Sequence, residues 1–595
     1  MKRNLTGLLP LALLMCGCSS NSLQLASPDN AITFDLAQRG DTLFYEIKKD
    51  NQQIVDLSPV ILSANASQLG VGITEISAQK TIQNRDYTEK HFVVEHKNKE
   101  ILGVNVRLYN DGVAFNYCYN ATDSVEMNDF TSFCLPANRA FWGQNNSKHY
   151  EGAYRKYNTD SLPDGMIFGP PATIEYGNNV YASITESGVY DFAGSRLKVA
   201  ASGVLQNNPH SGSKVMGETC TPWHVIMIGD LNALVNNQII ERTAKPLAPI
   251  YAGNMDWIKP GRCAWSWLAG YGVTYENMIR FTDWASELGF EYNLVDEGWS
   301  YWKDGDKSDW ELVAQLAEYG KSKGVETLIW KAFPDRAGID GIQTEERVRS
   351  FFEKCKQAGV SGVKIDFFDS ESQDIMQYMA RTLEIAAEYE LIVNYHGCTK
   401  PTGLEYTYPN ELTREGILGL EYGASWADQT TVTPFTRFLA GHGDYTCLTF
   451  SPGFMGETSK AHQLATAIVF DSPLMCYGGN PEDFINSEYK DLISSIPPVW
   501  DETRVLPASQ IGSCVAFARR NGDNWFVGVL GNEAQSMSLA LDFLDDKTYD
   551  AWIVDDTTET IPAIQLKQFP FTAVFPLVIE SEISRVVIII IIFKI

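Results

Sequence analysis

The residues with chemical potential cluster between positions 290 and 425. Asp296-Glu297-Gly298-Trp299, Trp330-Lys331, Lys364-Ile365-Asp366, Asn394-Tyr395-His396-Gly397 and the pair Glu415 and Glu421 each close or flank a short apolar run. Carboxylates, an imidazole and indoles brought to one pocket are equipment for cleaving a glycosidic bond. That reaction places positive charge on the sugar ring. One carboxyl must protonate the leaving oxygen, and another must attack the anomeric carbon or activate water. Tryptophan faces offer apolar platforms to the ring. Asp366 and Glu421 are the best placed pair, closing the fourth and sixth apolar runs. Lys364 precedes Asp366 with one residue between, so on a strand both side chains share a face. Asp296, Trp330, Lys364 and His396 are placed to hold sugar hydroxyls or to support the groups that do. The alternative for Asp366 is a buried pairing with Lys364.

These runs must be positioned by a scaffold. From 251 to 505, buried-looking strands alternate with helical periods. The strand candidates are Cys263–Trp267, Tyr292–Asp296, Glu326–Lys331, Gly362–Phe367, Leu391–His396, Ile417–Tyr422, Thr446–Phe450 and Pro473–Tyr477. Helical patterns cover Tyr275–Leu288, Trp310–Lys323, Glu345–Ala358 and Asp374–Tyr389. Eight strands in this order predict a central (β/α)8 TIM barrel with its chemistry at the C-terminal strand ends. No Gly-x-Gly-x-x-Gly or Walker pattern supports the doubly wound alternative. Glu405, Glu411, Glu415 and Glu421 lie close together, and clustered carboxylates repel. A hard, oxygen-preferring cation such as calcium would relieve them. A solvated acidic loop is the other reading of the same spacing.

From 23 to 250 the pattern is short and alternating, as in Phe92-Val-Val-Glu-His, and predicts an N-terminal β-sandwich. Strands return from 506 to 595 and predict a small C-terminal antiparallel β domain. Its isoleucine run, Ile588 to Ile592, reads as an edge strand or a frame-shifted tail. Residues 1–22 resemble a bacterial lipoprotein signal and tether: Lys2-Arg3, an apolar Leu5 to Met15, then Gly17-Cys18. The expectation is an exported lipoprotein in the periplasm or outer membrane, touching a membrane only through a lipid anchor. The 595 residues carry a formal charge of −27, which excludes nucleic acid as a partner. Fourteen Trp beside excess carboxylates suit a carbohydrate-active chain. Removing Cys16 and Cys18 from the eleven cysteines leaves an odd, scattered set that fits a disulfide scaffold poorly. Cys263, Cys398, Cys447 and Cys476 read as small buried residues.

Six stretches together resemble glycoside hydrolase family 97. They are Ile184-Thr-Glu-Ser, Tyr292-Asn-Leu-Val-Asp-Glu-Gly-Trp, Gly362-Val-Lys-Ile-Asp-Phe, Asn394-Tyr-His-Gly-Cys-Thr-Lys-Pro-Thr-Gly, Tyr406-Thr-Tyr-Pro-Asn and Glu415-Gly-Ile-Leu-Gly-Leu-Glu-Tyr. The resemblance implies an N-terminal β-super-sandwich, a catalytic barrel, a C-terminal β domain and a catalytic calcium ion. It implies Glu421 as acid/base, with Glu186, Glu415 and Glu421 as calcium ligands. Inverting members of that family carry Glu directly after the histidine that matches His396. Here that place is Gly397, as in retaining members, whose nucleophile matches Asp366. The retaining branch is mainly α-galactosidase, so the expectation is a retaining, exo-acting α-galactosidase taking oligosaccharides or glycosides. An α-glucosidase or β-L-arabinopyranosidase of the family is the alternative. A non-catalytic sugar-binding lipoprotein is the rival of another class, and predicts binding without hydrolysis.

Overall fold

A computed structural model describes residues 22–65, 67–336, 338–422, 426–533, 539, 541–544, 548–555, 565–570 and 587–594. The leader expected over residues 1–22 lies outside them except for Ser22, which opens the first strand. No helix among the described residues is long and apolar enough to cross a membrane.

Between Ser22 and Gly229 the chain forms twenty strands, paired antiparallel throughout. Strict alternation builds them. In Thr42–Lys49, Leu43, Tyr45 and Ile47 are buried while their neighbours are half-exposed. The rings of Phe34, Tyr45 and Phe115 meet inside at 4.9–5.6 Å between centroids. This is the expected β-super-sandwich. The scattered cysteines build no disulfide scaffold among the described residues, but two of them pair. The antiparallel register of Gly112–Asp129 on Ser213–Cys220 sets Cys118 opposite Cys220, and the two are bonded. Cys263, Cys398, Cys447 and Cys476 are buried and free.

The central barrel is built on a parallel sheet of seven regular strands. They are β1 (Gly261–Trp265), β2 (Tyr292–Val295), β3 (Glu326–Ala332), β4 (Gly362–Asp366), β5 (Ile392–Tyr395), β6 (Glu411–Arg414) and β7 (Leu474–Tyr477). They follow one another in space from β6 back to β1, which then pairs with β7. Local signals set the helices between them. Asp309–Lys323 starts on a reciprocal Ser308–Glu311 capping box and stops at Gly324, whose φ of 77° only glycine adopts freely.

Two strand expectations are corrected. The sixth strand is Glu411–Arg414, not Ile417–Tyr422. Its charged ends disguise it: the Arg414 guanidinium pairs with Glu411 on the side of the strand that Tyr395 shares, and both are buried. Thr446–Phe450 occupies the gap between β6 and β7 without a regular ladder, because Thr446 and Leu448 sit at φ of 54° and 63°. It still bridges that gap. Tyr445 O accepts from Leu420 N at 3.3 Å, and Cys447 O and Leu448 O accept from Gly478 N and Gly479 N at 3.0 and 2.9 Å.

Among the described residues, six antiparallel strands make the C-terminal sheet. The isoleucine run is no edge. Val587–Lys594 pairs with Asn524–Gly531 on one side and Thr548–Asp555 on the other. A single hydrophobic core joins all three regions, running from Trp142 and Tyr190 through the barrel to Phe517 and Phe526.

Candidate active site

The C-terminal strand ends converge on a cavity of about 270 Å³. Asp296, Trp330, Lys364, Asp366, His396, Glu415 and Glu421 all line it. Asp366 ends β4 with its carboxylate accepting from Trp330 Nε1 at 3.0 Å. Lys364 shares its face, as the spacing requires, but its hydrogen-bond partner is Asp296, with Nζ to Oδ2 at 3.0 Å. The same Asp296 oxygen accepts from Trp265 Nε1 at 2.6 Å. Lys364 is therefore held by Asp296 and acts on Asp366 through space.

His396 follows β5 and is clamped at both nitrogens. Nε2 lies 2.9 Å from Asp444 Oδ2, and Nδ1 lies 3.3 Å from Glu415 Oε2. Glu415 directly follows β6 and also accepts from Gly397 N at 2.8 Å. Glu421 lies on the loop beyond, and one donor atom each from His396, Glu415 and Glu421 fall within 4.8 Å of one another. Gly397 has φ of 52°, and a Cβ placed there would lie 2.8 Å from Phe367 N and 3.2 Å from Asp366 Oδ1. The Phe367 backbone thus closes the space that a side chain at 397 would need, with the Asp366 carboxylate at its border.

Electrostatics separate the two catalytic candidates from their supports. Burial raises Glu421 to about 7, with Lys364 pulling against it and Glu415 adding to it, so Glu421 holds a proton near neutrality. Burial also raises Asp366, opposed by Lys364 and His396. Glu415 goes the other way. Burial would raise it, but His396 and the Gly397 amide hold it at about 2. His396 is raised well above its ordinary value, because Glu415 and Asp444 outweigh its burial.

The N-terminal domain reaches into this cavity, but not with Glu186. Glu186 accepts from Lys400 Nζ and from Ser195 N at 2.8 Å, and does not line the cavity. The carboxylate that arrives instead is Glu151. His149 Nδ1 lies 3.0 Å from Glu151 Oε1, and the Tyr422 hydroxyl donates to its other oxygen. Burial and then Glu415 push Glu151 up to about 6. Glu151, Asp444 and Tyr422 escaped sequence reasoning. Asp444 and Glu151 sit in irregular segments with no strand end to mark them.

Acid and carboxylate partners at the mouth of a barrel, with indoles and a buried lysine around them, define a glycoside hydrolase. The comparisons give the family. Residues 25–246 match the Glycosyl-hydrolase 97 N-terminal model, 257–417 match Glycoside hydrolase 97, and 499–572 match Glycosyl-hydrolase 97 C-terminal, oligomerisation. The chain belongs to glycoside hydrolase family 97. It is 27% identical over 634 residues to a retaining alpha-galactosidase of Bacteroides thetaiotaomicron, covering 91% of this chain and 93% of that one. Its fold is shared with a beta-arabinopyranosidase at a TM-score of 0.82, 22% identity and coverage of 96% and 100%. A family 97 enzyme from Pseudoalteromonas sp. strain K8, solved with panose, gives a TM-score of 0.84 at 21% identity and the same coverage.

Proposed function

We propose that the chain is a retaining, exo-acting α-galactosidase. Asp366 attacks the anomeric carbon while Glu421 gives its proton to the leaving oxygen. Glu421 then removes a proton from water, which cleaves the ester on Asp366 and restores the enzyme. The observation that carries this reading is Gly397: the position beside His396 has no room for a base, because the Phe367 backbone closes against it and the Asp366 carboxylate borders it. Lys364, held by Asp296, places its positive charge near the nucleophile, and the Trp330 N–H fixes the carboxylate of Asp366. Half-exposed Trp267 and Tyr422 stand at the cavity mouth, where a leaving sugar would rest. The named activity of the Bacteroides relative supports galactose.

The donor set also suits calcium. Glu415, Glu421 and Glu151 are oxygen donors; burial first and then the Glu415 charge raise Glu151 and Glu421, and a divalent cation would offset both. His396 is spent between Asp444 and Glu415, so the neighbouring Glu415 and Glu421 would hold the ion, with Glu151 on the wall of the same cavity as the third carboxylate. Bound there, it would supply positive charge beside the leaving oxygen. Export as a lipoprotein is part of the same reading. The Cys118–Cys220 bond supports an oxidising compartment.

Proton NMR of the first-formed anomer tests the mechanism. Release of the α-anomer from an aryl α-galactoside is expected, and the β-anomer would refute retention. An aryl α-glucoside and an aryl β-L-arabinopyranoside in the same assay test the sugar. The arabinopyranoside matters because that sugar is galactose without its C5 hydroxymethyl group, and a solved neighbour is named for it. Full activity after chelation would refute the calcium site.

A further inference from the structure

Beside the cavity, where the barrel loops meet the sandwich, lies a second ionic cluster that the mechanism does not use. Lys400 Nζ donates to Glu371 Oε1 at 2.8 Å and to Glu186 Oε1. Glu371 also accepts from Thr399 Oγ1, and its other oxygen accepts from the Tyr150 hydroxyl at 2.8 Å. The ammonium sits 5.1 Å from the Tyr150 ring centroid. Tyr150 is 1% exposed, Glu371 and Lys400 are 0%, and Glu186 is 6%.

Each member comes from a different part of the site. Glu371 is on the loop after β4, beyond Asp366. Lys400 is on the loop after β5, beyond His396 and Gly397. These loops also meet directly, Asp369 N donating to Gly397 O at 2.7 Å. Glu186 belongs to the sandwich strand Val180–Ser187. Tyr150 precedes Glu151 and holds φ at 64°, a left-handed conformation that a tyrosine keeps only when its surroundings impose it. The hydroxyl bond to Glu371 anchors the far end of that side chain. An apolar contact would join two domains without desolvating three charges, so interface stability is a poor reason for this cluster.

We propose that Glu186, Lys400, Glu371 and Tyr150 form a positioning assembly that fixes Glu151 against the barrel rim and so sets the geometry of the Glu151–Glu415–Glu421 group. This rests on the calcium reading above. It also gives Glu186 a role one step behind the ligands. Tyr150 imposes the turn, Glu371 holds Tyr150 through its hydroxyl, and Lys400 holds Glu371 and ties it to the sandwich through Glu186.

Calcium titration calorimetry on the full chain, after chelation and dialysis, tests this. Tyr150→Phe removes one oxygen and leaves the ring. It is expected to weaken calcium binding about tenfold, as loss of a supporting partner does at metal sites, with the calcium-free protein still folding cooperatively in a thermal melt. Lys400→Met is expected to weaken binding further, with Lys400→Arg recovering part of the loss. Glu151→Gln supplies the reference for a lost ligand. Tyr150→Phe binding calcium as tightly as wild type would overturn the proposal. So would Glu186→Gln weakening binding as far as Glu151→Gln, which would put Glu186 among the ligands. If the wild type takes up no calcium, the calcium reading fails by itself. The assembly is then judged on kcat of Tyr150→Phe, expected to fall about tenfold, and a wild-type kcat overturns it.

Discussion

Replacing Gly397 with alanine adds one methyl group at the point where the retaining reading is most exposed. Two costs follow from the structure. The residue sits at φ of 52°, and holding a non-glycine residue there costs roughly 1–2 kcal/mol. The new Cβ lies 2.8 Å from Phe367 N and 2.9 Å from Phe367 Cα, where ordinary contacts begin at 3.4 Å. Backbone cannot swing aside as a side-chain tip can, so the two loops must part by about half an ångström. Asp366 Oδ1, 3.2 Å from the same Cβ, moves with them. A misplacement of about 1 Å costs about a hundredfold in rate, so this smaller shift is expected to cost about tenfold or more in kcat. The melting temperature should fall by about 2–4 °C. Hydrolysis of an aryl α-galactoside, with KM measured separately, reads the first effect, and a thermal melt reads the second. Wild-type kcat and stability in Gly397→Ala would show that Asp366 does not depend on the emptiness of position 397.

Three further outcomes are expected. Asp366→Ala should lose about 10⁴-fold or more in kcat, with partial recovery in azide, and retained activity would remove Asp366 as nucleophile. His442 is buried, has no ring-nitrogen partner among the described residues, and is pushed well below its ordinary pKa by burial and by Arg414 and Arg437. The unfolded chain takes up a proton near 6.5 that the folded one refuses. Stability should therefore fall by about 1.4 kcal/mol per unit as pH drops below about 6.5. Urea melts of His442→Gln should lack that increment, and an unchanged slope would refute it. Closing a loop of 102 residues, the Cys118–Cys220 bond should contribute at most about 4–5 kcal/mol. Paired Cys118→Ala and Cys220→Ala substitutions should lower the urea midpoint, and an unmoved midpoint would show that strand pairing alone holds those residues.

The barrel and most of its rim were legible where a single physical signal dominated. The first five strands are apolar runs bounded by helical periods. Their polar last residues stood out because burial elsewhere in each run was so consistent. The sixth strand failed that test, since Glu411 and Arg414 neutralise each other and read as a loop. Thr446–Phe450 read as a strand because it is buried, while its left-handed residues break the ladder. The sharing of a face by Lys364 and Asp366 followed from period two, but the choice of Asp296 as the lysine's partner depends on a neighbouring strand. Glu151 was invisible for a similar reason. Only the docking of the sandwich on the barrel brings it to Glu415, and no local pattern encodes that docking.

The arrival of Glu151 from the sandwich has a consequence for modularity. A barrel that completes its rim with a neighbour's carboxylate is not a freely exchangeable part. Grafting this barrel behind a relative's sandwich would carry over Asp366, Glu415 and Glu421 intact and still leave one corner of the cavity to chance. Recombination among such enzymes is expected to succeed when the crossover keeps His149 to Gly152 with the barrel loops they touch. A change of sugar specificity introduced by domain exchange would have to move the two regions together.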